Sequence, residues 1–539
     1  MNDPSWLSLV PPILAIVLVI VTKRVLISLG AGVLSAAFIV GGFNPVRTLS
    51  LVWKRFAQVF WEEGAVNTYY VYILVFVLAL GMIAALILMA GGTAAFSEWA
   101  VRRIKSRRGA QGLGAGLGIA VFIDDYFNAL AVGQVARPVT DQHQVSRAKL
   151  AYLIDSTSAP VAVLAPFSSW GASIIGIMAP IVAASTLSTS DVEAFIGASA
   201  ANYYAIAAIM FVIGCIVLAV DFGPMRTEER NAIEHGRTFN PDEEVPGELA
   251  EDLPVHEPGA KRSLLVPFLA LVAGVLAGIA WTGYTRADEP SWALLDLLAN
   301  TDVTTALMYG AGLGMAAALY YYARYTTQDP KFGWSTLGRG LAEGAKSMLP
   351  AVYILLLAWT LGSLISDLET GNYLGGLAKS ANLSPQWLVP TMFLMAGAMA
   401  FSTGTSWGSF GILLPIAGDI MNSVGQSELL LPALGAVLAG AVLGDHCSPI
   451  SDTTILSSTG ASCNVITHVR TQLPYAIAGA AAALAGYVVL AVTRQGWLGL
   501  LTVLATVVGL LLVLRTMAPP LSSGVQAAGA GTERQSADS

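Results

Sequence analysis

Long apolar runs separated by short polar connections occupy almost the whole chain. The runs fall at 7–22, 25–42, 68–91, 150–183, 196–220, 263–283, 302–322, 346–368, 429–463, 471–493 and 496–516. A helix rises 1.5 Å per residue, so about 20 apolar residues cross a hydrocarbon core of about 30 Å. The pattern therefore predicts about eleven membrane spans. Two further apolar stretches, 111–136 and 387–417, are glycine-rich, with GLGAGLG at 112–118 and GTSWGSFG at 404–411. The runs 150–183 and 429–463 exceed 30 residues and carry Pro, Gly and Ser/Thr clusters, which predicts helices broken near their centres. Segment 45–63 mixes Trp and Phe with basic residues and reads either as an interfacial amphipathic helix or as a loop with a short helix.

The two sides of the acidic, Pro-containing stretch 225–262 resemble one another. YIL at 72–74 precedes Gly81, and YIL at 353–355 precedes Gly362. SSWGAS at 168–173 matches SSTGAS at 457–462, each downstream of an intramembrane Asp and a Pro: Asp155 and Pro160, then Asp445 and Pro449. Several matches in the same order indicate an internal repeat.

Charge then sets the orientation. Loop 92–110 holds Arg102, Arg103, Lys105, Arg107 and Arg108 and is expected in the cytoplasm, whereas its counterpart 370–386 holds only Lys379. Likewise 323–345 carries Arg324, Lys331 and Arg339 where the first half carries Glu62 and Glu63. Halves inverted in this way need an odd number of crossings each. If 111–136 spanned the membrane, the basic loop of Arg137, Arg147 and Lys149 would lie outside. As re-entrant hairpins, 111–136 and 387–417 leave five crossings per half.

The predicted fold is an all-α polytopic membrane protein of two inverted-topology repeats. Each repeat has five spanning helices, one re-entrant hairpin and one broken helix, and a C-terminal helix is added. The expected boundaries are a first repeat at 1–224, an acidic cytoplasmic linker at 225–262, a second repeat at 263–495, a membrane helix at 496–516 and a disordered tail at 517–539. The N-terminus is expected outside and the C-terminus inside. No basic region precedes the first apolar run in MNDPSW, so no cleaved signal peptide is expected.

Composition agrees. Of 539 residues, 55% are hydrophobic and 12% charged, about half the charged share of a soluble protein. A net charge of −7 without a basic stripe argues against nucleic acid as a partner. Cys215, Cys447 and Cys463 are too few for a disulfide framework and lack zinc-ligand spacing.

Acidic residues then stand out by position. FIDDYFNAL supplies Asp124, Asp125 and Asn128, and the first broken helix supplies Asp155, Ser156, Thr157 and Ser158. GDHCSPISDTTILSSTGAS supplies Asp445, His446, Ser448, Ser451, Asp452, Thr453, Thr454, Ser457 and Ser458. FSTGTSWGS adds Ser402, Thr403, Thr405 and Ser406, and Ser168 and Ser169 open the first repeat motif. A carboxylate at bilayer depth costs about 2.5–3.5 kcal/mol even on the lenient insertion scale, which marks these windows as functional candidates. Carboxylate, hydroxyl and freed carbonyl oxygens suit a hard cation such as sodium. A desolvated carboxylate also takes up a proton more readily, so one group can hold either ion.

Structural readings stand beside these. Asp124 or Asp125 can cap a half-helix, and Asp155 can be an N-cap. Asp445 and Asp452 share a face only if the helix continues through Gly444 and Pro449. His446 is either a proton relay or a hydrogen-bonded packing residue. Asp445, His446 and Cys447 are adjacent and cannot all face one ion, so no transition-metal site is expected. Asp191, Glu98, Asp367 and Glu369 lie near span ends and are expected in solvent.

GDHCSPISDTTILSS resembles the signature segment of the NhaC-type sodium/proton antiporters, and FIDDYFNALAVG resembles their first-half acidic segment. The resemblance runs from about 68 to 485. It implies the ion-transporter superfamily fold, a bacterial inner-membrane location and sodium/proton exchange without a cofactor. Asp124, Asp125, Asp155, Asp445 and Asp452 are its candidate carboxylates, and a homodimer is plausible on the same basis. Some relatives exchange organic anions or move amino acids with sodium, so a coupled carrier of a small organic acid or amino acid is the alternative. No Arg or Lys in the acidic and Ser/Thr windows pairs with a substrate anion, which favours inorganic ions. An intramembrane aspartyl protease needs Gly-x-Gly-Asp, and Val442 and Leu443 precede Gly444 and Asp445 here. A channel fits inverted halves less well than alternating access does.

Overall fold

The computed structural model describes residues 6–22, 24–62, 64–122, 125–166, 168–243, 253–287, 290–370, 373, 384–423 and 426–521. Helices carry nearly all of this chain, and the β structure among the described residues is the two-residue ladder Trp61–Glu62 with Ala65–Val66. Eight described helices are long and apolar enough to cross a membrane, or nine if the pair Leu26–Val40 and Pro45–Gln58, bent by 120°, counts as one span. The eleven runs of the sequence do not become eleven unbroken helices. Residues 7–22 give a 3-10 turn at Trp6–Leu9 and the short helix Val10–Thr22, and 150–183 is cut into Arg147–Asp155, Ala159–Ala162 and Ser169–Ala183. Polar breaks subtract from helix length without removing apolar character.

Within 45–63 the chain forms the helix Pro45–Gln58, which Asn44 caps by accepting from Val46 N at 3.0 Å and Arg47 N at 3.2 Å. Its face with Val46, Leu49 and Trp53 is exposed, as expected of a helix lying at a headgroup boundary. Trp334–Ser347 is a helix of the same length, with Trp334 at its exposed start.

These two helices show how the halves interlock. Trp334–Ser347 packs on Thr68–Met89 of the other half, while Pro45–Gln58 packs on Leu349–Asp367. A Cβ at Gly81 would lie 2.1 Å from the Gly344 carbonyl oxygen, so the first contact is backbone against backbone. The second is held by an ion pair between Arg55 and Asp367, so Asp367 is not simply solvated. Val303–Thr326 also meets Thr68–Met89, and Val25–Val40 meets Leu349–Asp367. Thr68–Met89 thus packs among the later helices, and Leu349–Asp367 among the earlier ones.

The last helix, Gly496–Met517, buries only the stripe Gly499, Val503, Val507 and Leu511 and leaves Leu501, Val508 and Leu512 exposed. One buried residue per turn and apolar side chains elsewhere is the pattern of a peripheral helix facing lipid.

Two charged groups expected in solvent are inside. Lys149, read as part of a basic loop, is wholly buried and donates to Asp221 Oδ1 at 2.8 Å between the rings of Tyr152 and Tyr475. The stretch 225–262 opens within the helix Gly223–His235, whose buried Glu229 accepts from Ser146 N at 2.8 Å and pairs with Arg107.

Candidate functional site

The second broken helix supplies the frame. Ser427–Cys447 stops where Pro449 withdraws an N–H and forces Ser448 into an extended conformation (φ −82°, ψ 127°). Asp452–Ala461 restarts the helix, with Ser451 as its N-cap accepting from Thr454 N at 3.3 Å. Asp445 and Asp452 therefore lie on different half-helices, either side of a break. The first broken helix stops at Asp155, and Thr157 Oγ1 turns back to the Leu153 carbonyl at 2.7 Å.

Each hairpin places its turn on a break. The second hairpin, Pro385–Thr403 and Ser406–Ser423, turns at Gly404 (φ 73°), where a Cβ would lie 2.5 Å from the Ile450 carbonyl oxygen. Ser448 Oγ donates to the Phe401 carbonyl at 2.8 Å and ties hairpin to break. In the first hairpin, Arg107–Ala120 and Asp125–Gln142, Asn128 Nδ2 donates to the carbonyls of Gly118 at 2.5 Å and Val121 at 3.0 Å. Gly118 lies directly against Thr157 of the first break. Gly133 and Gly460 bring Asp125–Gln142 into backbone contact with Asp452–Ala461.

Three carboxylates meet at this crossing. Asp445, 1% exposed, accepts from Ser406 Oγ at 2.9 Å and Ser451 Oγ at 2.5 Å. Ser451 Oγ lies 2.9 Å from Thr453 Oγ1, and Ser406 Oγ lies 3.2 Å from the Ala441 carbonyl oxygen. Asp452, 7% exposed, accepts from Tyr126 OH at 2.5 Å and Thr453 N at 2.9 Å. Asp155, 1% exposed, is held differently. Gln472 Nε2 lies 2.6 Å, His468 Nε2 3.2 Å and Thr454 Oγ1 3.3 Å from its Oδ2, and Ser457 Oγ lies 3.3 Å from its Oδ1. His446 sits between, with Nε2 3.0 Å from Ser156 Oγ and Nδ1 2.6 Å from Tyr204 OH.

The other expected residues are placed apart or serve the backbone. Asp125 accepts from Trp170 Nε1 at 2.9 Å and lines a separate cavity. Ser168 caps Ser169–Ala183 by accepting from Gly171 N at 2.8 Å. Thr405 Oγ1 accepts from Trp407 N at 3.3 Å, while Thr403 and Ser458 donate to the carbonyls of Met399 at 3.1 Å and Thr454 at 2.8 Å. Asp124 and the Ser169 side chain lie outside the described residues.

Tyr126, Tyr204, His468 and Gln472 were not singled out from the sequence. His468 and Gln472 carried a usable signal: two polar side chains four apart, hence on one helix face, at the entry to an apolar run. The tyrosines carried none, because a tyrosine in an apolar segment is an ordinary core residue.

Cavities flank the crossing. One of about 560 Å³ reaches Asp452 and Tyr126 and is walled by Tyr69, Tyr70, Trp359 and Trp407, with Arg55, Asp367 and Glu369 in its lining. One of about 320 Å³ beside it holds Asp125, Trp170, Arg286 and Asp302. A third, of about 280 Å³, holds Gln134, Arg137, Asp141 and Arg147. The first two touch the start of Thr68–Met89 at Tyr69, and the third touches its end from Leu80 to Leu88. They therefore lie toward opposite ends of Thr68–Met89, and Asp155 and Asp445, both buried, line none of the three.

The profile of the Na+/H+ antiporter family matches residues 161–492, more than half of the chain. An uncharacterized protein of Haemophilus influenzae is 41% identical over 519 residues, which is 95% of either chain. The malate-2H(+)/Na(+)-lactate antiporter of Bacillus subtilis is 33% identical over 149 residues, 26% of this chain and 30% of that protein. The Na(+)/H(+) antiporter NhaC of Alkalihalophilus pseudofirmus is 27% identical over 148 residues, again 26% of this chain and 30% of its own length.

Proposed function

The chain belongs to the Na+/H+ antiporter family, and on that footing we propose that it exchanges sodium or lithium for protons across the bacterial inner membrane at the oxygen cluster around Asp445. It is a multi-pass secondary antiporter rather than an enzyme.

The carrying observation is the environment of Asp445. Its carboxylate is buried at a helix break among the hydroxyls of Ser406, Ser451 and Thr453, with the Ala441 carbonyl adjacent. A serine hydroxyl is both donor and acceptor. Pointed inward, its proton stabilises the carboxylate. Turned away, the same oxygen offers a lone pair to a cation beside that carboxylate. A hard cation gains several oxygen ligands in this way, and a proton on the carboxylate removes the charge that attracts it. Occupancy by one ion thus excludes the other, which is the requirement for exchange.

Asp155 differs in kind. Nitrogen and hydroxyl groups already surround both of its oxygens, which supports a role in bracing the two broken helices. The cavity carrying Asp367 and Glu369 is taken as the outer entrance and the one carrying Arg137 and Arg147 as the cytoplasmic one, following the distribution of basic residues. A tenfold ion gradient supplies about 1.4 kcal/mol, and 100 mV adds about 2.3 kcal/mol per net charge moved, enough to shift a carboxylate between proton and sodium forms.

The test is dequenching of a pH dye in inverted membrane vesicles. Added sodium or lithium should move protons, and Asp445→Asn, present at normal level in the membrane, should cut that rate at least about tenfold. If only an organic acid or amino acid moved protons, the coupled-carrier alternative would replace this reading.

A further inference from the structure

The 560 Å³ cavity is built for more than an alkali cation. Ligand sites for small organic molecules run from about 300 to 1,000 Å³, whereas a sodium ion needs only a single shell of oxygens. The walls here are aromatic: Tyr69, Tyr70, Tyr126, Trp359 and Trp407 surround the approach to Asp452. Tyr70 and Trp359 form a corner, with ring centroids 4.7 Å apart and planes inclined by 41°. Ring faces do not replace the water of a sodium ion well, but they attract an organic ammonium group through their quadrupoles and its alkyl body through apolar contact.

The charge pattern points the same way. Among the described residues the lining carries Asp452, Asp367 and Glu369, with Arg55 paired to Asp367. Asp452 receives the Tyr126 hydroxyl and the Thr453 amide, both neutral donors. Its negative charge is therefore met by hydrogen bonds rather than by a counter-ion at this end of the cavity. A buried carboxylate in an aromatic-walled pocket, with no counter-ion of its own, repels an organic acid and suits an amine.

We propose that this cavity is a binding site for a primary organic ammonium ion, its nitrogen on Asp452 and its alkyl body against Tyr70, Trp359 and Trp407. The proposal rests on the exchange reading only in taking Asp452 to face the transport path. The sodium site at Asp445 and the ammonium site at Asp452 are then neighbours across one helix break.

Isothermal titration of the full-length protein purified in detergent tests this, with n-butylammonium as the probe and n-butyrate as the anionic control. Saturable binding of the amine and none of the carboxylate is expected. Asp452→Asn should weaken it at least about tenfold, and Tyr70→Leu and Trp359→Leu several-fold, in variants that elute as the wild type does on gel filtration. Absence of saturable amine binding, equal binding of butyrate, or affinity unchanged in both Asp452→Asn and Tyr70→Leu would overturn the proposal. Sodium-driven proton movement, measured on the same preparation in liposomes, separates the two readings. Amine binding without sodium exchange would sink only the exchange reading, and exchange without amine binding would sink only this one.

Discussion

Asp445 owes its position to two serines that act on different structures. Ser451 caps the half-helix Asp452–Ala461 and donates to Asp445, while Ser406 opens the inner helix of the second hairpin and donates to the other carboxylate oxygen. Ser448, three residues from Asp445, instead donates to the Phe401 carbonyl. The two kinds of serine should separate by experiment. Ser406→Ala should raise the sodium concentration for half-maximal exchange by about tenfold to a hundredfold, the effect of one hydrogen bond to a charged group. Ser448→Ala should leave that concentration unchanged and lower the melting temperature of the purified protein. Initial rates in liposomes and a thermal melt, run on both variants, check this. The acidic residues of the second broken helix were legible in the sequence, because an intramembrane carboxylate is expensive wherever it falls. Their division of labour was not. Asp155 and Asp445 look alike as letters, yet one is surrounded by Gln472, His468, Thr454 and Ser457 and the other by hydroxyls alone.

At the scale of elements, close backbone packing and buried charge hold the two breaks in place. A Cβ at Gly133 would lie 2.2 Å from the Gly460 carbonyl group, whereas one at Gly116, on the other arm of the same hairpin, would meet nothing within 4 Å. Gly133→Ala should therefore destabilise by about 1–3 kcal/mol, and Gly116→Ala should be neutral or stabilise by up to about 1 kcal/mol through lost backbone freedom of the unfolded chain. The pair Lys149–Asp221 clamps the first broken helix to the end of Tyr203–Leu218. Removing one partner of a buried pair leaves a lone charge, so Asp221→Asn should cost about 3–5 kcal/mol. Replacing both by apolar residues should cost much less. Thermal melts in detergent rank all of these variants. Away from the membrane, the Lys331 backbone N–H donates to Asp329 at 3.0 Å and holds its carboxyl below the usual carboxylate range. A carboxyl depressed in the fold stabilises its turn above its unfolded value and loses that contribution as pH falls through the folded one. Protease cleavage at 326–334 should thus be insensitive to pH from neutrality down to about pH 4 and rise only in stronger acid.

For the molecule as a whole, the arrangement of cavities has a consequence for access. Asp452 adjoins the cavity at the start of Thr68–Met89, and the basic cavity lies near that helix's end. Cysteine placed at exposed Ser366, in the lining of the first, should react with a membrane-impermeant thiol reagent added outside intact cells. Cysteine at Gln134, in the lining of the third, should react only from the cytoplasmic side. Cys215, Cys447 and Cys463 are buried and free, so the background should be low. Labelling of both positions from the same side would contradict the orientation taken from charge. The reciprocal packing of Trp334–Ser347 on Thr68–Met89 and of Pro45–Gln58 on Leu349–Asp367 also ties the halves together, so movement of one against the other must pass through these contacts.

By itself, the sequence determined that this is a polytopic α-helical protein, that its long runs break near Pro160 and Pro449, and that Asp125, Asp155, Asp445 and Asp452 lie inside, since apolar length, proline and buried charge each have strong local costs; that Asp221 and Glu229 are also buried it did not show. Only the tertiary structure decided which of those carboxylates meet. It brought His468, Gln472, Tyr126 and Tyr204 to them, drew Lys149 out of an expected basic loop into the core, and set Asp125 apart beside Trp170. These outcomes depend on contacts between residues tens to hundreds of positions apart, such as Tyr126 with Asp452. Local hydropathy carries no information about which helix faces another across a break.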